Sequence, residues 1–235
     1  MDPSSAVPTA ARPSLLRRVD ALLRQTSAHG EAGLPDAREL VRIAIVCGAA
    51  YGIAMGIYAL TMRGWAGFAQ VIAAAIKVPL LCFLTIAVTF PSFYVLTAVR
   101  DSTASAAQLW RIQIVGAALM TAMLASLGPI LLFFTLSTES HGFMVVLNTV
   151  FFAIAGALGL RAIWIRCRAA LQSESARDSM GLLRAWLVIA VLVGMQSAWI
   201  LRPLIGRPND SFTVVEPRGS NAFAGFLSVF EELDR

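Results

Sequence analysis

The sequence predicts an all-α protein: a polytopic membrane helix bundle of about five transmembrane helices, with an amphipathic helix at each terminus. Three observations predict it. Long apolar runs recur between about residues 40 and 206, each near the roughly 20 helical residues that cross a hydrocarbon core of roughly 30 Å. Charge is almost confined to the gaps between the runs. And a chain of 235 residues that is 57% hydrophobic and 14% charged is too apolar for an ordinary soluble domain. At membrane depth every backbone N–H and C=O must be satisfied internally, so the spans are expected to be helices. This divides the chain into an N-terminal tail (1–39), a transmembrane domain (40–206) and a C-terminal tail (207–235).

Residues 1–12 are rich in Pro, Ala and Ser and are expected to be disordered. Ser14 is a plausible N-cap for a short helix with Leu15, Leu16, Val19, Leu22 and Leu23 on one face and Arg17, Arg18, Asp20 and Arg24 elsewhere. Such a basic amphipathic helix either lies on the bilayer or packs on the protein itself. No apolar stretch of the signal-peptide kind precedes residue 40, and the Arg17-Arg18 pair is followed by an amphipathic segment. The first span is therefore expected to serve as an uncleaved insertion signal.

Asp36 and Glu39 form a capping-box pattern ahead of the first span, about residues 40–62. Residues 64–77, with Trp65 and Gln70, read either as an interfacial elbow or as the start of the next helix. The second span covers about residues 78–99, with Pro79 in its first turn and Pro91 inside. The third covers about 113–136 and carries Gly128 and Pro129. The fourth runs over about 143–165 and the fifth over about 183–205. Trp110, Trp164, Trp186 and Trp199 fall near span ends, where indole rings favour the membrane interface.

Net charge is +5, nearly all of it arginine, since Lys77 is the sole lysine. The positive charge gathers at span ends rather than on one face, which marks topology rather than nucleic-acid binding. Arg24, Arg38 and Arg42, then Arg100 and Arg111, then Arg166, Arg168, Arg177 and Arg184 lie on one side. The other side has Arg63 and Lys77 in one loop, none in the short turn at 137–142, and Arg202, Arg207, Arg218 and Arg235 in a tail that also carries acidic residues, so the comparison rests on the short loops. The rule places the N-terminus in the cytoplasm and the C-terminus outside, so the expected location is the bacterial inner membrane with a periplasmic C-terminus. Cys47 and Cys82 fall inside spans and Cys167 in a basic loop; their spacing matches no metal or disulfide framework.

Gly48, Gly52 and Gly56 recur every four residues, a small-residue ridge that lets another backbone approach closely. Its partner is either another span or another subunit. Pro79, Pro91 and Pro129 are candidate kinks, and a proline-broken second span next to Lys77 can build a solute site. Equally, Lys77 can snorkel to the headgroups. Ser126, Asn148, Arg161 and Gln196 are the remaining candidate polar intramembrane residues, with Ser197 beside them. They serve either to line a solute path or as interhelical hydrogen-bond glue, with Arg161 snorkelling to the arginine-rich face.

An enzyme needs more than this. The two histidines are His29 and His141, and no HExxH, GxSxG or paired intramembrane carboxylates appear. Glu139 beside His141 is too few ligands for a metal. No catalytic residue, metal ligand or cofactor is expected. In the C-terminal tail, Ser220 is a plausible cap for a helix with Phe223, Phe226, Leu227, Phe230 and Leu233 on one face, suited to a membrane interface, a partner's groove or the bundle itself.

The phrases Lys77-Val78-Pro79-Leu80-Leu81, Thr89-Phe90-Pro91-Ser92-Phe93-Tyr94, Ser126-Leu127-Gly128-Pro129 and Leu201-Arg202-Pro203 resemble a family of uncharacterised bacterial polytopic membrane proteins. The five-span layout is also similar to Yip1-type proteins. The likeness covers the membrane region only, and it implies no reaction and no functional residues. The expectation is thus a non-enzymatic scaffold or accessory subunit of a larger membrane complex. Its partners are the lipid bilayer and other membrane subunits or a copy of itself, with no nucleic acid. The alternative is a small-solute or ion transporter or channel subunit.

Overall fold

The computed structural model describes residues 15–24, 36–98, 105–138, 140–170 and 176–201. Among these every regular element is helical: α1 (Leu15–Arg24), α2 (Ala37–Arg63), a 3-10 turn (Gly64–Gly67), α3 (Phe68–Ala98), α4 (Ala106–Ser137), α5 (His141–Ala170) and α6 (Ala176–Ile200). Helices α2 to α6 each contain a stretch long and apolar enough to cross a membrane. The all-α, five-span expectation holds, and a multi-pass membrane protein is the class this fold defines.

The order of packing differs from the order in the chain. Helix α2 lies at the centre, against both α3 and α4; α5 covers α4, and α6 leans on α3 while barely touching α5. Small residues explain the centre. A β-carbon placed on Gly52 would lie 2.7 Å from the carbonyl carbon of Ala74 and 2.8 Å from the Ala75 Cα, and one on Gly56 would lie 2.6 Å from the Val71 Cα. Gly48 faces Pro79, whose ring nitrogen would be 3.3 Å away. The glycine ridge is therefore spent inside the chain, where α2 and α3 meet backbone to backbone.

The turn between them settles the reading of residues 64–77. Gly64 has φ 59°, a left-handed conformation that costs glycine nothing, and it ends α2. Only residues 64–67 form an elbow. Residues 68–77 are the first turns of α3, so Pro79 sits well inside that helix rather than in its first turn. Polar side chains bond to nearby carbonyls along its second half: Thr85 Oγ1 donates to Leu81 O at 2.8 Å, Thr89 Oγ1 to Thr85 O at 2.7 Å and Ser92 Oγ to Thr89 O at 2.8 Å. Pro91, inside the same helix, has no N–H to offer the carbonyl of Ala87.

At the arginine-rich end, several other expectations are corrected. Asp36 is the N-cap of α2, but its side chain makes no cap bond and Glu39 does not reach back. Glu39 instead pairs with Arg18 of α1. Leu22 of α1 is fully buried among Leu40, Ile43, Cys47, Ile114 and Val115, so α1 packs on the bundle instead of lying free on a bilayer. Cys167 belongs to α5, not to a loop, and is buried beside Phe93, Leu109 and Leu183. Trp186 is buried too: its ring lies 4.2 Å from that of Phe93, and Nε1 donates to Thr89 O at 3.3 Å. An indole with a hydrogen-bond partner gains more in that core than at the interface. The Ser14 cap and the helix with Phe223, Phe226 and Phe230 lie outside the described residues.

Candidate functional site

Buried polar groups are the features that a bundle of apolar helices cannot carry without reason. Among the described residues they include Asn148, Lys77, Gln70 and Gln113, on α3, α4 and α5. Near the middle, Tyr51 of α2 is fully buried, and its hydroxyl donates to Asn148 Oδ1 of α5 at 2.8 Å; Asn148 Nδ2 in turn donates to Met144 O at 2.8 Å. The Tyr51 ring also meets Phe152 edge-on at 5.7 Å. The amide thus closes α5 onto α2 with both of its ends used.

Lys77 is 4% exposed and occupies the same general level. Gly48 against Pro79 and Gly52 against Ala74 bracket it opposite the centre of α2. Ala74, about one turn earlier, and Val78, the next residue, belong to the core cluster that contains Tyr51. Lys77 therefore does not sit at the end of its helix but ten residues into α3. It enters the bundle on the inward face of α3. Gln70, two turns earlier on that face, is likewise buried at 1% exposure.

Toward the arginine-rich end lies a residue that the spans concealed. Gln113, where hydropathy begins the third span, is buried inside α4 at 1% exposure. Neither atom of its amide has a hydrogen-bond partner among the described residues. Hydropathy could not find it, because one glutamine at an apparent span boundary looks like a boundary. A second close contact, Gly116 of α4 against Gly159 of α5, was also missed. Neither belongs to a run of glycines spaced every four residues, and the pair gains meaning only when the two helices cross.

The other candidate polar residues are dispersed. Ser126 is exposed and its hydroxyl bonds back to Ala122 O at 2.9 Å. Arg161 and Gln196 are exposed on the outer faces of α5 and α6. Pro129 is exposed, as is Pro91, while Pro79 is buried against Gly48. The structure brings Asn148, Tyr51 and Lys77 into one core and leaves Ser126, Arg161 and Gln196 outside it. No group of three or more His, Cys, Asp or Glu side chains that could hold a metal occurs among the described residues.

No protein-family model, curated protein or solved structure matches this chain. Its class rests on the helices themselves.

Proposed function

We propose that the protein is a non-enzymatic scaffold or accessory subunit of a membrane complex, acting through contacts between helices. One observation supports this above others: among the described residues α6 is held on one side only. Of its apolar stretch 17% is buried within the chain, against 61% for that of α2. Its outward side carries Gln196, an amide that makes no hydrogen bond among the described residues. A polar side chain on the outer face of a span is a docking feature, because a partner helix can satisfy it and lipid cannot. The arginine distribution supports a bacterial inner membrane with the N-terminus cytoplasmic and the C-terminus periplasmic. The likeness to Yip1-type proteins supports no reaction and is consistent with this role.

The test is purification in mild detergent from the native membrane. The wild-type chain is expected to carry its partner. A chain with Leu192→Ala and Gln196→Leu is expected to insert normally and lose that partner. Retention of the same partner by the variant would count against α6 as the contact.

A second reading, a transporter or channel subunit for a small solute or ion, is favoured by Lys77. A lysine on the inward face of a span is a candidate contact for a solute or ion. In reconstituted vesicles holding a potassium chloride gradient, this reading requires a flux that Lys77→Met abolishes; no flux from the wild-type chain would exclude these ions.

A further inference from the structure

We infer that the partner at α6 is a second copy of this chain, joined in a parallel two-fold dimer with the Gln196 amides facing each other; this deepens the scaffold reading and rests on it. A β-carbon on Gly194 would lie 3.7 Å from Thr85 Cγ2, and eight residues earlier Trp186 packs on Phe93, so α6 runs antiparallel to α3 with Gln196 level with about Phe83. Phe83 is about 6 Å along α3 from Pro79, at 1.5 Å per residue. Pro79 packs on Gly48, near the middle of α2. Gln196 therefore lies within the hydrocarbon slab, whose half-thickness is about 15 Å. An uncharged amide there has no water to bond.

Direction comes next. Successive residues turn by about 100° around a helix. Leu183, Trp186, Ser197 and Leu201 are buried and define the side of α6 that faces the bundle. Arg184, whose guanidinium lies 5.8 Å over the Trp164 ring, defines the flank toward α5. Gln196 is about 120° around from Arg184 and turned away from both neighbours. It shares that open side with Ala185, Val188, Ile189 and Leu192, all exposed. The spacing from Ala185 through Val188 and Leu192 to Gln196 is that of a helix–helix seam.

Chemistry then selects the occupant. An amide is donor and acceptor at once, so two identical amides satisfy each other reciprocally, with nothing left over on either side. The rest of the seam is aliphatic and uncharged, so a second copy meets no like charge there. Every copy inserts in the same orientation, which makes the symmetry axis parallel to the membrane normal and brings equal residues to equal depth. Gln196 then faces Gln196, and Leu192 faces Leu192, as an isologous contact demands.

The experiment uses the full chain alone, purified and reconstituted at low density in phosphatidylcholine vesicles, with dimerisation read by energy transfer between labelled copies. The wild type is expected to dimerise. Gln196→Leu should weaken the association about tenfold, since two interhelical hydrogen bonds are lost, and Gln196→Asn should restore part of it. Single cysteines at Val188, Leu192 and Gln196 should cross-link under mild oxidation, whereas Val191→Cys and Val150→Cys should not. The native cysteines are all buried, which keeps the background low. A monomeric wild type, equal dimerisation by Gln196→Leu, or equal cross-linking at Val150 would overturn the inference. If the pure chain stays monomeric while Gln196→Leu loses a different protein from native membranes, the dimer is wrong and the accessory-subunit reading survives.

Discussion

The contact between α2 and α3 gives a graded prediction, because the glycines differ in the room they have. An alanine at position 52 puts its methyl 2.7 Å from the Ala74 carbonyl carbon, and ordinary van der Waals contact begins near 3.4 Å. The two helices must part locally by about 1 Å, and backbone lies on the far side, so no side chain can swing away. Overpacking of this kind costs about 1–3 kcal/mol. Replacing a helical glycine by alanine returns up to about 1 kcal/mol of propensity. The net for Gly52→Ala is a loss of about 1–2 kcal/mol, and Gly56→Ala should behave alike. Gly48→Ala, with its nearest neighbour at 3.3 Å, should be close to neutral. Gly156→Ala has nothing within 4 Å and should be neutral or stabilising. Thermal midpoints in one detergent, read by size-exclusion with intrinsic fluorescence, would give the ranking. If Gly52→Ala melts with or above Gly156→Ala, the close packing of α2 on α3 is refuted.

Two further outcomes follow from the geometry. Tyr51→Phe and Asn148→Leu should each cost about 1 kcal/mol, and a double-mutant cycle should show coupling of about 0.6–1.7 kcal/mol; strictly additive effects would mean that the 2.8 Å bond between them does not hold α5 to α2. For topology, Ser140→Cys in the turn between α4 and α5 should react in intact cells with an impermeant thiol reagent, and Ser173→Cys should not. Reversed labelling would invert the proposed orientation.

Span number was legible because hydropathy depends on composition alone, and each run exceeds the bilayer thickness. The ridge of Gly48, Gly52 and Gly56 was legible because its period matches one helix face. What stayed hidden was rotation and pairing. The sequence could not tell that Asn148 points inward to Tyr51 while Gln196 points out, since both are single amides in apolar runs. Nor could it show that Gly116 meets Gly159, or that Glu39 answers Arg18 rather than its own helix N-terminus. The capping-box pattern predicted a local bond, and a nearby cation on α1 offered a stronger one. Lys77 looks like a membrane-edge residue for a simpler reason: hydropathy begins the second span near residue 78, ten residues after α3 starts.

The most direct measurement of the central claim, that this bundle works by docking through α6, is native mass spectrometry on assemblies released straight from membrane vesicles. The account predicts a wild-type mass larger than one chain, and a single folded chain for Gln196→Leu that still melts like the wild type. A wild-type protein released only as a monomer, or a Gln196→Leu variant that keeps the larger mass, would contradict it.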